Sequence, residues 1–286
     1  MIRIIINADD LGKNPEVNRY IEEALQNDYI SSSTIMANSA YLQEVKRITE
    51  SFGDTKSFGV HLNITEGSSL TINPVLRDAG MIDENGCFIR SHNFESRLYE
   101  KKLIDAVAQE WDAQVYEILA KGIKISHLDG HHHCHTWYGF YEALLRVAEK
   151  YHITKVRNTF ISPFVTTKDN IIKSVSNLLL QCNLINASKS INITRKLASI
   201  RYYQDKIKFL EATRGLVKTD FFDAYENFCS KAKGLPMNAI LPNSAIVELM
   251  CHPGHPTYQN EYQMITSDKL GIIHDPDIAL INYNDL

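Results

Sequence analysis

The segment HLDGHHHCHTW, residues 127–137, places five of the chain's eleven histidines within nine positions, with Asp129 between the first two. Imidazole and carboxylate groups are the usual ligands of a catalytic divalent cation. Three other short apolar runs end in residues of the same kind. IRIIINADD ends in Asp9 and Asp10, SFGVHLNIT carries His61, and SAIVELMCHPG carries His252. Each has a plain explanation when taken singly. An Asp-Asp pair after a strand is a turn and cap signal, a strand histidine can be a hydrogen-bonded core residue, and HPG is a turn. One chemical type recurring four times at the end of the same structural unit points instead to one shared site.

In an extended strand, residues 127, 129 and 131 share a face, and at about 3.3 Å per residue His127 and His131 lie about 13 Å apart. Zinc–nitrogen bonds are about 2.0–2.1 Å, so both reach one ion only if the backbone bends, which Gly130 allows. One or two of the histidines are therefore expected on a metal, with the others orienting ligands, touching substrate or covering the site. A metal-scavenging tract would need a flexible, exposed setting, whereas the apolar IKISHL leads directly into this cluster. One aspartate and two histidines around a divalent ion leave positions open for water and substrate. Such an ion lowers the pKa of bound water towards about 7 and polarises a carbonyl oxygen, and an unligated carboxylate beside it serves as general base. Asp9 and Asp10 offer one carboxylate for each task, and His252 could protonate a leaving amine.

What must position these groups is a set of strands with a common carboxyl edge. The runs 2–10, 57–65, 123–133, 153–158 and 244–254 are nearly continuous in apolar or β-branched residues before they turn polar. That is the pattern of strands buried on both faces of a parallel sheet. Helical patterns fall between them. Asn14, Pro15 and Glu16 form a helix start, with apolar residues following at 17, 21, 24 and 25. Residues 94–121 read as a long amphipathic helix ending at Gly122, and 137–151 as another. The alternation predicts an α/β fold with its chemistry at the carboxyl ends of the strands. Residues 164–212 break the rhythm and read as an inserted helical segment, a lid or an interface over one face.

A length of 286 residues suits one (β/α) barrel domain spanning 1–286, and 44% hydrophobic residues suffice for a full core. The net charge of −4, with no dominant basic patch, gives no reason to expect nucleic acid. Five cysteines without a CxxC pair argue against a disulfide framework and a four-cysteine zinc site. MIRIIINADD lacks the features of a signal peptide, and no apolar run approaches the roughly 18 residues of a membrane span. A cytoplasmic location is the default expectation, and a homodimer is left open.

Four motifs in order, NADDLG (7–12), GVHLNIT (59–65), HLDGHHHCH (127–135) and MCHPG (250–254), together resemble the YdjC-like carbohydrate deacetylases, a family that includes chitooligosaccharide deacetylases. The resemblance covers nearly the whole chain outside 164–212, where NLINASKSINITRK follows no family pattern. It implies a deformed, TIM-like (β/α) barrel that removes acetyl groups from N-acetylated sugars with a divalent metal. Carried over by position, it implies Asp10, His61 and His131 as metal ligands, Asp9 as catalytic base, and His252 as the acid or oxyanion-side group. Arg157, in KVRNT, stands where family members carry a strand-end arginine and is expected to contact the sugar or buttress Asp9. His127 and Asp129 are further candidates for substrate contact. Ligand chemistry favours Zn2+, while Mg2+ is often assigned in this family. The partner implied is a small carbohydrate.

Two rival classes stand beside this one. A metal-dependent sugar isomerase or phosphoesterase could use a similar barrel, but an isomerase releases no acetate and a phosphoesterase usually wants more carboxylates for two metals. A non-catalytic metal- or sugar-binding protein would not need a competent residue at every catalytic position.

Overall fold

The first strand, β1 (Ile2–Leu11), is almost wholly buried on both faces, because its isoleucines and Ala8 meet neighbours on either side. It forms the middle of a parallel sheet with β2 (Ser32–Ile35), β3 (Ser57–Leu62), β4 (Leu128–Gly130), β5 (Phe221–Ala224), β6 (Ile246–Cys251) and β7 (Ile278–Leu280). The order is β4-β3-β2-β1-β6-β5, and β7 pairs with the first residues of β1. The structure, a computed structural model, describes residues 1–90, 100–137, 139–164, 206–273 and 275–286. Most of the insertion expected at 164–212, and residues 94–99 of the expected long helix, lie outside the described residues.

No continuous strand forms over 153–158, where one was expected. The segment instead makes single bridges, Val156 to Leu128 and Lys155 to Val217. Its backbone bonds nevertheless join the two edges of the sheet. Arg157 N donates to Leu128 O at 3.0 Å, Val156 N to Val217 O at 3.0 Å, and Phe222 N to Ile161 O at 2.8 Å. This stitch from β4 to β5 curls the sheet into a deformed, TIM-like α/β barrel. Arg157 sits on the stitch itself.

Helices α1 (Pro15–Gln26), α2 (Leu42–Phe52), α3 (Pro74–Asp78), α4 (Lys101–Ala120), α5 (Phe140–Lys150), α6 (Tyr225–Ala232), α7 (Met237–Ile240) and α8 (Gln259–Thr266) accompany the sheet. The Asn14 side chain caps α1 by accepting from Val17 N at 2.9 Å, and Val17, Ile21, Ala24 and Leu25 form its buried stripe. Trp111 of α4 is fully buried and meets Phe140 of α5 edge-on at 6.3 Å. Among the described residues, no helix is long and apolar enough to cross a membrane.

One glycine in β3 is required for the layer beneath the site. A Cβ on Gly59 would stand 2.6–2.8 Å from ring atoms of His127. That ring is held in place by stacking on Tyr283, with centroids 3.5 Å apart and planes at 8°. Gly59→Ala is therefore expected to overpack the core and cost about 1–3 kcal/mol, read from urea denaturation. An unchanged denaturation midpoint would show that the His127 ring can withdraw.

Candidate functional site

Neighbouring side chains on a regular strand point to opposite faces. Asp9 and Asp10 escape that rule because the β1/β2 register slips between Ala8 and Leu11, and Asp10 takes φ 72°. Aspartate tolerates the left-handed region better than most residues. Both carboxylates thereby reach the same imidazole, with Asp9 Oδ2 3.8 Å and Asp10 Oδ1 3.5 Å from His61 Nε2.

The histidine cluster also turns, though not where the sequence suggested. Gly130 is extended, with φ −158° and ψ 135°; the turn falls at His132 and His133, with φ 52° and 57°. Gly130 has a different use, since a Cβ there would lie 2.9 Å from the backbone nitrogen of His135 as the chain folds back. The turn brings His131 Nδ1 to 2.9 Å from Asp10 Oδ1.

Each of these imidazoles is oriented by a carboxylate. His61 Nδ1 lies 2.6 Å from Asp129 Oδ1 and 3.2 Å from the Thr34 hydroxyl. A carboxylate only accepts, so the proton sits on Nδ1 and the Nε2 lone pair faces Asp10. His131 Nε2 lies 3.0 Å from Glu66 Oε2. Glu66 is presented by a short turn in which Asn63 Oδ1 accepts from Thr65 N at 2.9 Å and Glu66 N at 3.2 Å.

Ligand atoms of Asp10, His61 and His131 thus lie within 4.8 Å of one another. Asp10 Oδ1 is buried without a hydrogen-bond partner. A buried carboxylate oxygen facing two imidazole nitrogens without a well-directed hydrogen bond from either is compensated by a proton on His131 or by a cation that joins the three. One oxygen and two nitrogen donors fit a divalent ion that keeps a coordination position open. Burial alone would raise the Asp10 pKa, but His131 and His61 beside it hold it well below the usual carboxylate range. Against the opposing effect of burial, Asp10 and Glu66 push His131 up to about 9, so a cation would compete with a proton there. Glu66, His131 and His132 form a second possible donor set. Lys13 already supplies its positive charge, with Nζ 2.9 Å from Glu66 Oε2 and 3.5 Å from Asp10 Oδ2.

Behind Asp9 lies Arg157, which has no exposed surface. Its Nη1 and Nη2 donate to Asp9 Oδ2 and Oδ1 at 2.8 and 2.7 Å. Nε donates to Glu248 Oε1 at 2.8 Å, and Nη1 lies 2.7 Å from Asp129 Oδ2. Burial would raise Asp9, yet Arg157 and His61 hold it far below the ordinary carboxylate value, so it is ionised. Asp9 Oδ1 is further occupied by Asn7 Nδ2 at 2.9 Å, while Oδ2 also faces His252 Nε2 at 4.0 Å.

Arg157 was expected to contact the sugar or buttress Asp9, and His127 and Asp129 were further candidates for substrate contact. Arg157 makes the buttressing bonds. All three are buried, with 0% exposed surface. Arg157 and Asp129 are turned to other charged groups, and His127 is sandwiched into the core against Tyr283.

His252, at the end of β6, stacks on Tyr258 with centroids 4.5 Å apart. Its Nδ1 lies 3.5 Å from Glu261 Oε2, and its backbone N–H donates to that same oxygen at 2.6 Å. Burial opposes the charged ring, but Glu261 and Asp9 outweigh it and raise the pKa, favouring an imidazolium able to donate a proton. A cavity of about 410 Å³ opens beside it, lined among others by Glu226, Asn227, Ser230, Met250 and Tyr258. Glu66, Glu248 and Glu261 were missed from the sequence. Glu248 alone left a signal there, as the one acid inside the apolar run AIVELMC.

A family model described as YdjC-like protein matches residues 3–276. A carbohydrate deacetylase of Enterococcus faecalis is 34% identical over 171 residues, covering 58% of this chain and 62% of that protein. One from Vibrio cholerae is 33% identical over 153 residues, covering 53% and 57%. The matched region thus spans about three-fifths of the length of these relatives. A carbohydrate deacetylase of Clostridium beijerinckii is 22% identical over 300 residues, covering 100% of both chains. The crystal structure of an Enterococcus faecalis protein named for cellobiose-phosphate cleavage has the same fold. Its TM-score is 0.69 at 23% identity, with 99% of this chain and 98% of that chain covered.

The three carboxylates around Arg157 have a consequence for stability. Burial pushes Glu248 up to about 7, despite the opposing effects of Arg157 and the Tyr283 hydroxyl. Its folded value thus exceeds the ordinary 4.5, so the folded protein binds a proton that the unfolded chain releases. The resulting stabilisation is full below about pH 4.5 and is lost as the pH rises through about 7. At about 1.4 kcal/mol per pKa unit, the loss is on the order of 3 kcal/mol. Glu248→Gln should therefore show a flatter stability profile than the parent between pH 4.5 and 7 in chemical denaturation. Parallel profiles would show that Glu248 is ionised throughout.

Proposed function

The chain belongs to the YdjC-like family, and on that premise we propose that it is a metal-dependent carbohydrate deacetylase, which hydrolyses the acetamido group of an N-acetylated amino sugar to acetate and amine. The observation that carries this reading is the meeting of Asp10, His61 and His131 donor atoms within 4.8 Å beside an ionised carboxylate that is not one of them. The relatives named carbohydrate deacetylase support the substrate class.

Asp10, His61 and His131 would hold the divalent ion, Zn2+ or Mg2+. When bound, such an ion polarises the acyl carbonyl and acidifies water. The rest is supplied by this chain's own side chains. Asp9 Oδ2 accepts the proton of the attacking water. Its low pKa keeps it ionised but makes it a weak base, so Asp9 contributes chiefly through position, fixed by two bonds from Arg157. His252 carries a proton on the opposite side of Oδ2 and gives it to the departing amine nitrogen, with Glu261 supporting its charge. One proton is taken and one returned, so hydrolysis of the amide balances. The cavity beside His252 offers room for a sugar unit.

The first test is acetate release from N-acetylglucosamine oligomers and other N-acetylated glycans, with metal stripped and then restored as zinc, cobalt or magnesium. Acetate that appears only with metal is expected; no acetate from any sugar by metal-loaded protein would overturn the reading. On an active substrate, Asp9→Asn should lose about 10²–10⁴-fold in rate while still binding metal. The Glu66 carboxylate beside His131 Nε2 gives a separate expectation. Glu66→Gln should weaken metal binding by about 10–100-fold in calorimetry. An unchanged affinity would mean that His131 needs no carboxylate to orient it.

A further inference from the structure

We infer that His133 is a substrate-binding residue, whose imidazole hydrogen-bonds a hydroxyl or amide group of the sugar seated over Asp9. The inference rests on the deacetylase reading and adds a specificity-determining contact to it.

The first observation is conformational. His132 and His133 occupy the left-handed region in succession, with φ 52° and 57°. Histidine enters that region more readily than most side chains, yet two in succession are uncommon, and such conformations cluster at functional sites. The turn sends the two rings to different sides. His132 lies among His131, Asp10 and Glu66, and its Nδ1 pairs with the Thr65 hydroxyl at 2.9 Å. His133 packs edge-on against Phe222, whose ring lies 5.4 Å from the guanidinium carbon of Arg157, the residue that holds Asp9.

The second observation is a missing partner. The Nδ1 atom of His133 is buried without a hydrogen bond. A buried imidazole nitrogen left without a partner needs an explanation. His127, His135 and His252 also have an unpartnered nitrogen, but the first two have no exposed surface and sit against Tyr283 and Phe209, and His252 Nδ1 faces Glu261 Oε2 at 3.5 Å. His133 differs from His127 and His135 in being only partly buried. Its ring is fixed by an edge-on contact with Phe222, with centroids 5.5 Å apart and planes at 88°. A fixed, partly open and unpaired imidazole packed on the ring that lies by Arg157 is suited to a group that both donates and accepts, as sugar hydroxyls and acetamido groups do.

The left-handed backbone also supplies clean variants. Glycine and asparagine are at home at that φ, so His133→Gly removes the ring without adding strain, and His133→Asn keeps a short polar group. KM and kcat for acetate release would be measured on the best N-acetylated oligomer, together with bound metal and thermal midpoint. For His133→Gly, a drop of at least about 10-fold in kcat/KM through a raised KM is expected, with metal content and midpoint retained. His133→Asn should recover part of the loss. A glycine variant with undiminished kcat/KM would overturn the inference. So would a loss that tracks lost metal, which would make His133 a support of the metal site instead. No acetate from the parent protein on any sugar would overturn the functional reading itself, before any variant is compared.

Discussion

One buried guanidinium holds together the end of this barrel where Asp9, Asp10, His61 and His131 meet. Arg157 has no exposed surface, and it meets Asp9 of β1, Asp129 of β4 and Glu248 of β6 at 2.7–2.8 Å. Withdrawing four charged groups from water carries a penalty of several kcal/mol per ion, offset only by close pairing. Arginine can do this where lysine cannot, because its planar fork presents donors in three directions at once. Burial, with Asp129 and Asp9 close by, pushes Glu248 up to about 7, which eases the excess of three carboxylates over one cation. Tyr283 completes the network by donating to the second Glu248 oxygen at 2.6 Å.

The same network links the groups assigned to base and metal. Asp129 bridges Arg157 and His61, fixing the tautomer that turns His61 Nε2 towards Asp10. Thr34 stands at the crossing, 3.0 Å from Asp129 Oδ2, 3.2 Å from His61 Nδ1 and 3.5 Å from Asp9 Oδ1. A hydroxyl has one proton to give, so its bond to Asp129 is the strongest claim and the Asp9 contact the weakest. The orientation of the base and the direction of the ligand lone pair are therefore not independent variables. Moving either aspartate disturbs both.

How far the sequence reveals this depends on the range of each interaction. The long apolar runs and the Asn14 cap are local patterns, and the strands at 2–11, 57–62 and 246–251 follow from them. Strands β2, β5 and β7 do not, because three or four residues carry too little periodicity to read. The types of residue at the site were legible, but their directions were not. The slip that turns Asp9 and Asp10 to one face, and the left-handed turn at His132, depend on partners far along the chain. The full burial of Arg157 was not legible, because nothing near it in sequence reveals that three carboxylates distant along the chain surround it. Glu66 and Glu261 come from a loop and a helix outside the motifs, and only the folded chain brings them beside His131 and His252.

The closure of the barrel and the chemistry of the site are one construction. Residues 154–161 join β4 to β5 through scattered bridges rather than a full ladder. Such a seam has few backbone bonds to resist opening, and its strength must come from side chains. Arg157 supplies it by tying the seam to β1, β4 and β6 from the inside. Removing one member of a buried, paired set leaves the others uncompensated, at a cost of about 3–5 kcal/mol. Selection for a correctly posed Asp9 and selection for a closed barrel thus act on the same arginine. That coupling accounts for a charged cluster in the interior, where apolar packing is often at least as stable but would leave Asp9 without an orientation.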